Sequence, residues 1–196
     1  MPLASTIPLS PHFLASELGA DKPEASNAII TNLRVTANGL ERIRSALNSR
    51  LQVNTPTHRN RGFRTPQENA DAGGSPTSDH VEGLSGDFVP LDFMPNANVY
   101  TRMAEAYNVL RNSDIGNFDQ IIFYPGSGYI HGGFGGNRRE FRVKLFEGAG
   151  GTPIIGSDFA QTVGGSVAYA AAKNPLGAIA VLAAAVLFLI AVTNKK

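Results

Sequence analysis

His80 and Asp87 stand seven residues apart in SPTSDHVEGLSGDF, a pairing able to do chemistry. An imidazole and a carboxylate supply two of the three protein ligands that a catalytic zinc takes, with a fourth position left for water. A third ligand is required. His131, in GYIHGGF, is a candidate because small neighbours leave room around its ring. By spacing alone, a histidine packed in a core or exposed on a strand is the commoner explanation, and that alternative stays open at this level. The chain has no Cys, which excludes thiolate zinc sites, iron–sulfur clusters, disulfide scaffolds and a thiol nucleophile. Any metal must sit on His, Asp or Glu.

For His80 and Asp87 to face one point the backbone between them must fold tightly, and Gly83 and Gly86 permit that. Asp87 belongs to a short strand expected over 84–89 and ended by Pro90. Upstream, Ser26 or Asn27 can cap a helix whose apolar positions Ile29, Leu33, Leu40, Ile43 and Leu47 recur at helical spacing to about Arg50. Residues 52–79 are loop by composition. A second helix is expected from about Ala97 to Arg111, with Val99, Met103, Tyr107 and Leu110 on one face. Three β-rich runs follow at 118–124, 129–134 and 141–146, the first two flanking the turn PGSG, so that His131 rides on a hairpin. The pattern predicts an α+β domain, a small antiparallel sheet flanked by helices with long loops.

The stretch FRTPQENADAGGSPTSDHVEGLSGDF resembles the signature of zinc D-alanyl-D-alanine peptidases of the hedgehog-like fold, a group that includes bacterial carboxypeptidases, VanX-type dipeptidases and phage endolysins. Gly62, Phe63, Arg64, Asn69, Gly73, Gly74, Ser78, His80 and Asp87 fall on that signature in order. FDQIIFYPGSGYIHGGFGGNRRE is similar to the family's closing segment, and PLSPHFLASELGA to its opening one, so the likeness spans roughly residues 10–146. The resemblance implies that His80, Asp87 and His131 hold Zn2+, and that Arg64 holds or polarises a peptide substrate. Asn69 and Ser78 are read as supporting or turn-forming residues. Two positions depart from the pattern. Arg61 replaces the usual serine, and Tyr124 and Gly128 stand where many members carry an acidic general base. Asp79, Glu82 and Glu140 are candidate bases by chemistry, while Tyr124 could donate to an oxyanion but is a poor base at a usual pKa of about 10.

The 17 Lys and Arg residues nearly balance 16 Asp and Glu, so no global field exists for gripping nucleic acid. Arg138, Arg139, Glu140, Arg142 and Lys144 alternate with apolar residues and read as a strand face, while His12 and His58 are read as surface or loop residues. Hydrophobicity concentrates at 176–193, from Leu176 to Thr193, eighteen residues without a charge. At 1.5 Å rise per residue this makes roughly 27 Å of helix, enough for a thin hydrocarbon core. The expected organisation is a zinc peptidase-like domain over 1–147, a Gly/Ala-rich linker over 148–174 and one C-terminal transmembrane helix over 175–194. The N-terminal MPLASTIPLSPHF has no secretory pattern, so the membrane segment is expected to come last.

These readings predict a membrane-anchored zinc peptidase cleaving peptidoglycan stem peptides, as a D-Ala-type carboxypeptidase or endopeptidase. A phage lytic or virion-associated enzyme is expected, seated in a viral internal membrane or the host inner membrane, with other virion proteins as candidate partners. The alternative is a non-catalytic structural membrane protein of a virion that reuses the peptidase fold.

Overall fold

A computed structural model describes residues 1–55, 59–97, 99–144 and 155–156. It opens with the ribbon β1 (Pro8–Ser10) and β2 (Phe13–Leu14) and the short helix α1 (Ala15–Leu18). Helix α2 (Asn27–Leu47) follows, capped by the Ser26 side chain, which accepts from the Ile29 N–H, and closed by Asn48 at a left-handed φ of 45°. Its buried stripe is Ile30, Leu33, Ala37, Leu40, Ile43 and Leu47 at helical spacing, with Ile29, expected on it, only partly buried. Next come β3 (Leu51–Gln52), α3 (Pro66–Asp71), β4 (Ser85–Pro90) and α4 (Val99–Arg111). The last described strands are β5 (Gln120–Tyr124), β6 (Tyr129–Gly133), β7 (Glu140–Lys144) and β8 (Ile155–Gly156).

Six strands form one sheet in the order β3-β4-β6-β5-β7-β8. Because side chains alternate along a strand, each face carries every second residue. Phe88, Ile121, Phe123, Ile130 and Val143 share the inner face and are fully buried. Tyr107 of α4 meets the Phe123 ring edge-on at 5.4 Å, while Gly86 lets β4 approach Leu40 and Thr36 of α2. The opposite face is left for chemistry. Across it the register aligns Asp87 with His131, His131 with Ile122, and Ile122 with Arg142.

The α+β class holds, and two details differ from the expectation. The sheet is mixed, because β7 pairs in parallel with β5. The connection 134–139 crosses the start of β5 and is pinned there: the Arg139 N–H donates to the Phe118 carbonyl, Glu140 N–H donates to Asp119, and the Arg138 guanidinium binds the Asp119 carboxylate. A hairpin return is thereby replaced by a step over one strand. Second, the expected loop over 52–79 contains α3, held by a capping box in which Thr65 accepts from the Glu68 N–H and Glu68 accepts from the Thr65 N–H. Among the described residues no helix is long and apolar enough to cross a membrane. The span expected at 176–193, the linker over 148–174 apart from β8, and His58 lie outside the described residues.

Candidate metal centre

The loop that carries His80 is tied down on both sides. The Asn69 amide donates to the Ser75 carbonyl at 2.7 Å, and the Ser78 hydroxyl accepts the His80 N–H at 3.4 Å. Gly83, at φ 71°, then turns the chain into β4, with the Leu84 N–H donating to the Asp79 carbonyl. Gly86 is not part of that turn; it is a regular residue of β4. On the other side, Gly62 passes so close to the Leu18 carbonyl that a Cβ would collide with it. That approach brings the Gly62 carbonyl to His80, whose Nδ1–H donates to it at 2.7 Å.

This bond fixes the tautomer, because a carbonyl can only accept. The His80 Nε2 lone pair is left facing inward. It lies 3.2 Å from Asp87 Oδ1 and 3.2 Å from His131 Nδ1, and those two atoms are 2.8 Å apart. All three residues are buried. Burial pulls the His80 pKa down, keeping the ring neutral. Burial alone would push the Asp87 carboxyl up, yet the positive charge and hydrogen bonds that the His80 and His131 rings bring when protonated outweigh it and hold the group well below the usual carboxylate range. A neutral imidazole nitrogen and an ionised carboxylate oxygen turned toward each other in a dry site repel unless a cation or proton lies between them. The two-His, one-carboxylate donor set matches that of catalytic zinc, which keeps one position open. The residues fit the ion.

Arg64 sits behind Asp87. Its Nη2 donates to Asp87 Oδ2 at 2.6 Å, and its Nε donates to the Asn60 carbonyl. The guanidinium therefore fixes the outer carboxylate oxygen while the inner one joins the triad. Tyr124, at the end of β5, stacks on Tyr129 with ring centroids 4.6 Å apart, and the Lys144 ammonium lies 5.4 Å from its centroid.

The triad opens into a cleft of about 600 Å³ lined by Arg61, Arg64, Asp79, Gln120, Tyr124, Arg138 and Lys144 among others. Of the three candidate acids, Asp79 alone lines it. Its carboxylate lies against Gly133 and Gly135, and burial pushes its pKa up. Glu82 is exposed, and Glu140 is paired with Arg142 at 2.5 Å. His12 is partly exposed and bound to Glu41 at 2.9 Å. Gln120, Ile122 and Tyr129 escaped the sequence reading, although counting back by twos from Tyr124 along β5 puts Ile122 and Gln120 on its face.

A family model described as Peptidase M15 matches residues 11–131, more than half of the chain, and takes in all three members of the triad. No curated protein and no solved structure matches.

Proposed function

The chain belongs to the peptidase M15 family of zinc metallopeptidases, and on that premise we propose that it cleaves peptidoglycan stem peptides at or near D-alanine. We assign it to a phage lytic or virion-associated setting, anchored in a membrane through residues 176–193, a reading supported by the uncharged run there. The observation that carries the catalytic reading is the convergence of His80 Nε2, Asp87 Oδ1 and His131 Nδ1 on one point at the floor of an open cleft.

When bound, zinc supplies Lewis-acid polarisation of the scissile carbonyl and activation of the attacking water. The protein's own groups do the rest. The His80 ring is held in place by the Gly62 carbonyl, and Asp87 by Arg64. A stem peptide lies along the cleft with its scissile carbonyl above the triad. Asp79 is the carboxylate placed to take the proton of the attacking water and return it to the leaving amine, since no acid stands at Tyr124 or Gly128. The Tyr124 hydroxyl supplies a donor toward the developing oxyanion.

The test is the full chain purified in detergent, assayed for zinc content and for muropeptide cleavage with and without a chelator. One zinc per chain, absent in His80→Ala, and cleavage abolished by the chelator are expected. Cleavage that ignores the chelator would sink the mechanism. The second reading, a non-catalytic virion membrane protein, draws on the missing acid at the end of β5; zinc bound with no turnover of any muropeptide would favour it.

A further inference from the structure

The cleft is more basic than the chain. Arg61, Arg64, Arg138 and Lys144 line it against Asp79 and Asp87, whereas the whole sequence carries a net charge of only +1. Two of these cations are already held by carboxylates: Arg64 by Asp87 at 2.6 Å, and Arg138 by both oxygens of Asp119. Lys144 lies over the Tyr124 ring. Arg61 differs. Only its backbone is engaged, the N–H donating to Asn54 Oδ1 at 2.9 Å and the carbonyl accepting from the Asp87 N–H at 2.7 Å. Its guanidinium has no hydrogen bond or ion pair among the described residues. That backbone bond ties Arg61 to a triad residue, and Arg61 lines the same cleft as the triad.

Resting on the peptidase reading above, we propose that Arg61 determines specificity by binding the C-terminal carboxylate of the peptide, so that the substrate is a short peptide with a free carboxylate beside the scissile bond. The chemistry follows from the guanidinium fork, which matches a carboxylate with two parallel N–H···O bonds. Arg64 already commits Nη2 to Asp87 and Nε to the Asn60 carbonyl, whereas every N–H of the Arg61 guanidinium is available among the described residues. Arg61 is half-buried, so an uncharged analogue that covers it takes the cation out of water without giving it a partner and binds less well. Cleavage thus releases a single C-terminal amino acid, with water adding its hydroxyl to the new carboxyl end and a proton to the leaving amine.

The experiment uses the zinc-loaded full chain in detergent and two probes, N-acetyl-Lys-D-Ala-D-Ala as the free acid and as its C-terminal amide. Binding is measured by calorimetry and cleavage by mass spectrometry. The native protein is expected to bind the acid about tenfold or more tightly than the amide. Arg61→Gln is expected to erase that gap and Arg61→Lys to keep part of it. A gap that is absent in the native protein, or that survives in Arg61→Gln, overturns the assignment. Binding with the predicted gap but no cleavage of either probe overturns the peptidase reading instead and leaves the role of Arg61 standing.

Discussion

Arg64 and Asp87 form a buried pair in which the guanidinium takes the outer carboxylate oxygen at 2.6 Å and leaves the inner one 2.8 Å from His131 Nδ1. The side chains are 15% and 7% exposed, so the charge on Asp87 is shielded from solvent on every side but the triad. Removing Arg64 frees the carboxylate to rotate and strips a buried charge of its partner. Arg64→Gln is therefore expected to weaken zinc affinity by roughly 10- to 100-fold, the usual cost of losing a group that orients a ligand. Competition with a chromophoric chelator measures it, and unchanged affinity would refute the positioning role.

Zinc should act as a folding ligand. Three convergent groups of which at least two are acceptors disfavour the metal-free fold, and an ion bound only by the folded chain raises stability by about 2.7 kcal/mol at a hundred times its Kd. Added zinc is expected to raise the Tm of the native chain and to leave that of Asp87→Asn nearly unmoved. An equal rise in both would place the ion elsewhere.

The residues of the centre were legible through the joint match to a family signature, since spacing alone left a core histidine the commoner explanation; His80, Asp87 and His131 do come together. What spacing could not supply was direction. The parallel pairing of β7 with β5 depends on hydrogen bonds from residues 138–140 to Phe118 and Asp119, contacts between segments that each look like ordinary antiparallel strands. The helix α3 did leave a local mark. Thr65-Pro66-Gln67-Glu68 is a capping-box pattern with proline at the first helical position, but the surrounding Pro and Gly outweighed it as a loop signal. Arg64's commitment to Asp87 had no signal at all, being a contact across 23 residues.

Asp79 and Tyr124 separate proton transfer from oxyanion binding. Asp79→Asn keeps the shape of the cleft and removes the acceptor, so kcat is expected to fall by about 10²- to 10⁴-fold with zinc content unchanged. Glu82→Gln, at an exposed site, should leave kcat within about twofold. Tyr124→Phe preserves the stack on Tyr129 and removes one hydroxyl, with an expected loss of about 10²-fold in kcat; unchanged kcat would take the hydroxyl out of the mechanism. Full activity in Asp79→Asn would remove it from the mechanism.

The loop bearing Gly62 and Arg64 is anchored by a clamp outside the triad, and that clamp should give the protein an acid limit. Lys22 Nζ donates to the Phe63 carbonyl at 2.9 Å and to both oxygens of Glu68, at 2.9 and 2.7 Å, while Glu68 also accepts the Thr65 N–H. Burial raises the Glu68 pKa, but the bonds from Lys22 and Thr65 outweigh it and leave the folded-state value below the ordinary 4.5. A carboxyl lowered on folding binds fewer protons folded than unfolded, so stability rises with pH across the window between the two values. The contribution is complete above the ordinary carboxylate pKa and is lost as pH falls through the depressed one. Glu68→Gln should thus cost about 1–3 kcal/mol at pH 7, because Lys22 is left with its head group largely buried and no counter-charge. The difference from the native chain should shrink below about pH 4, where Glu68 itself becomes neutral. Urea unfolding of both proteins between pH 3 and pH 7 tests the sign. A gap that stays constant over that range would mean that the Glu68 charge contributes nothing and that only its shape supports the loop.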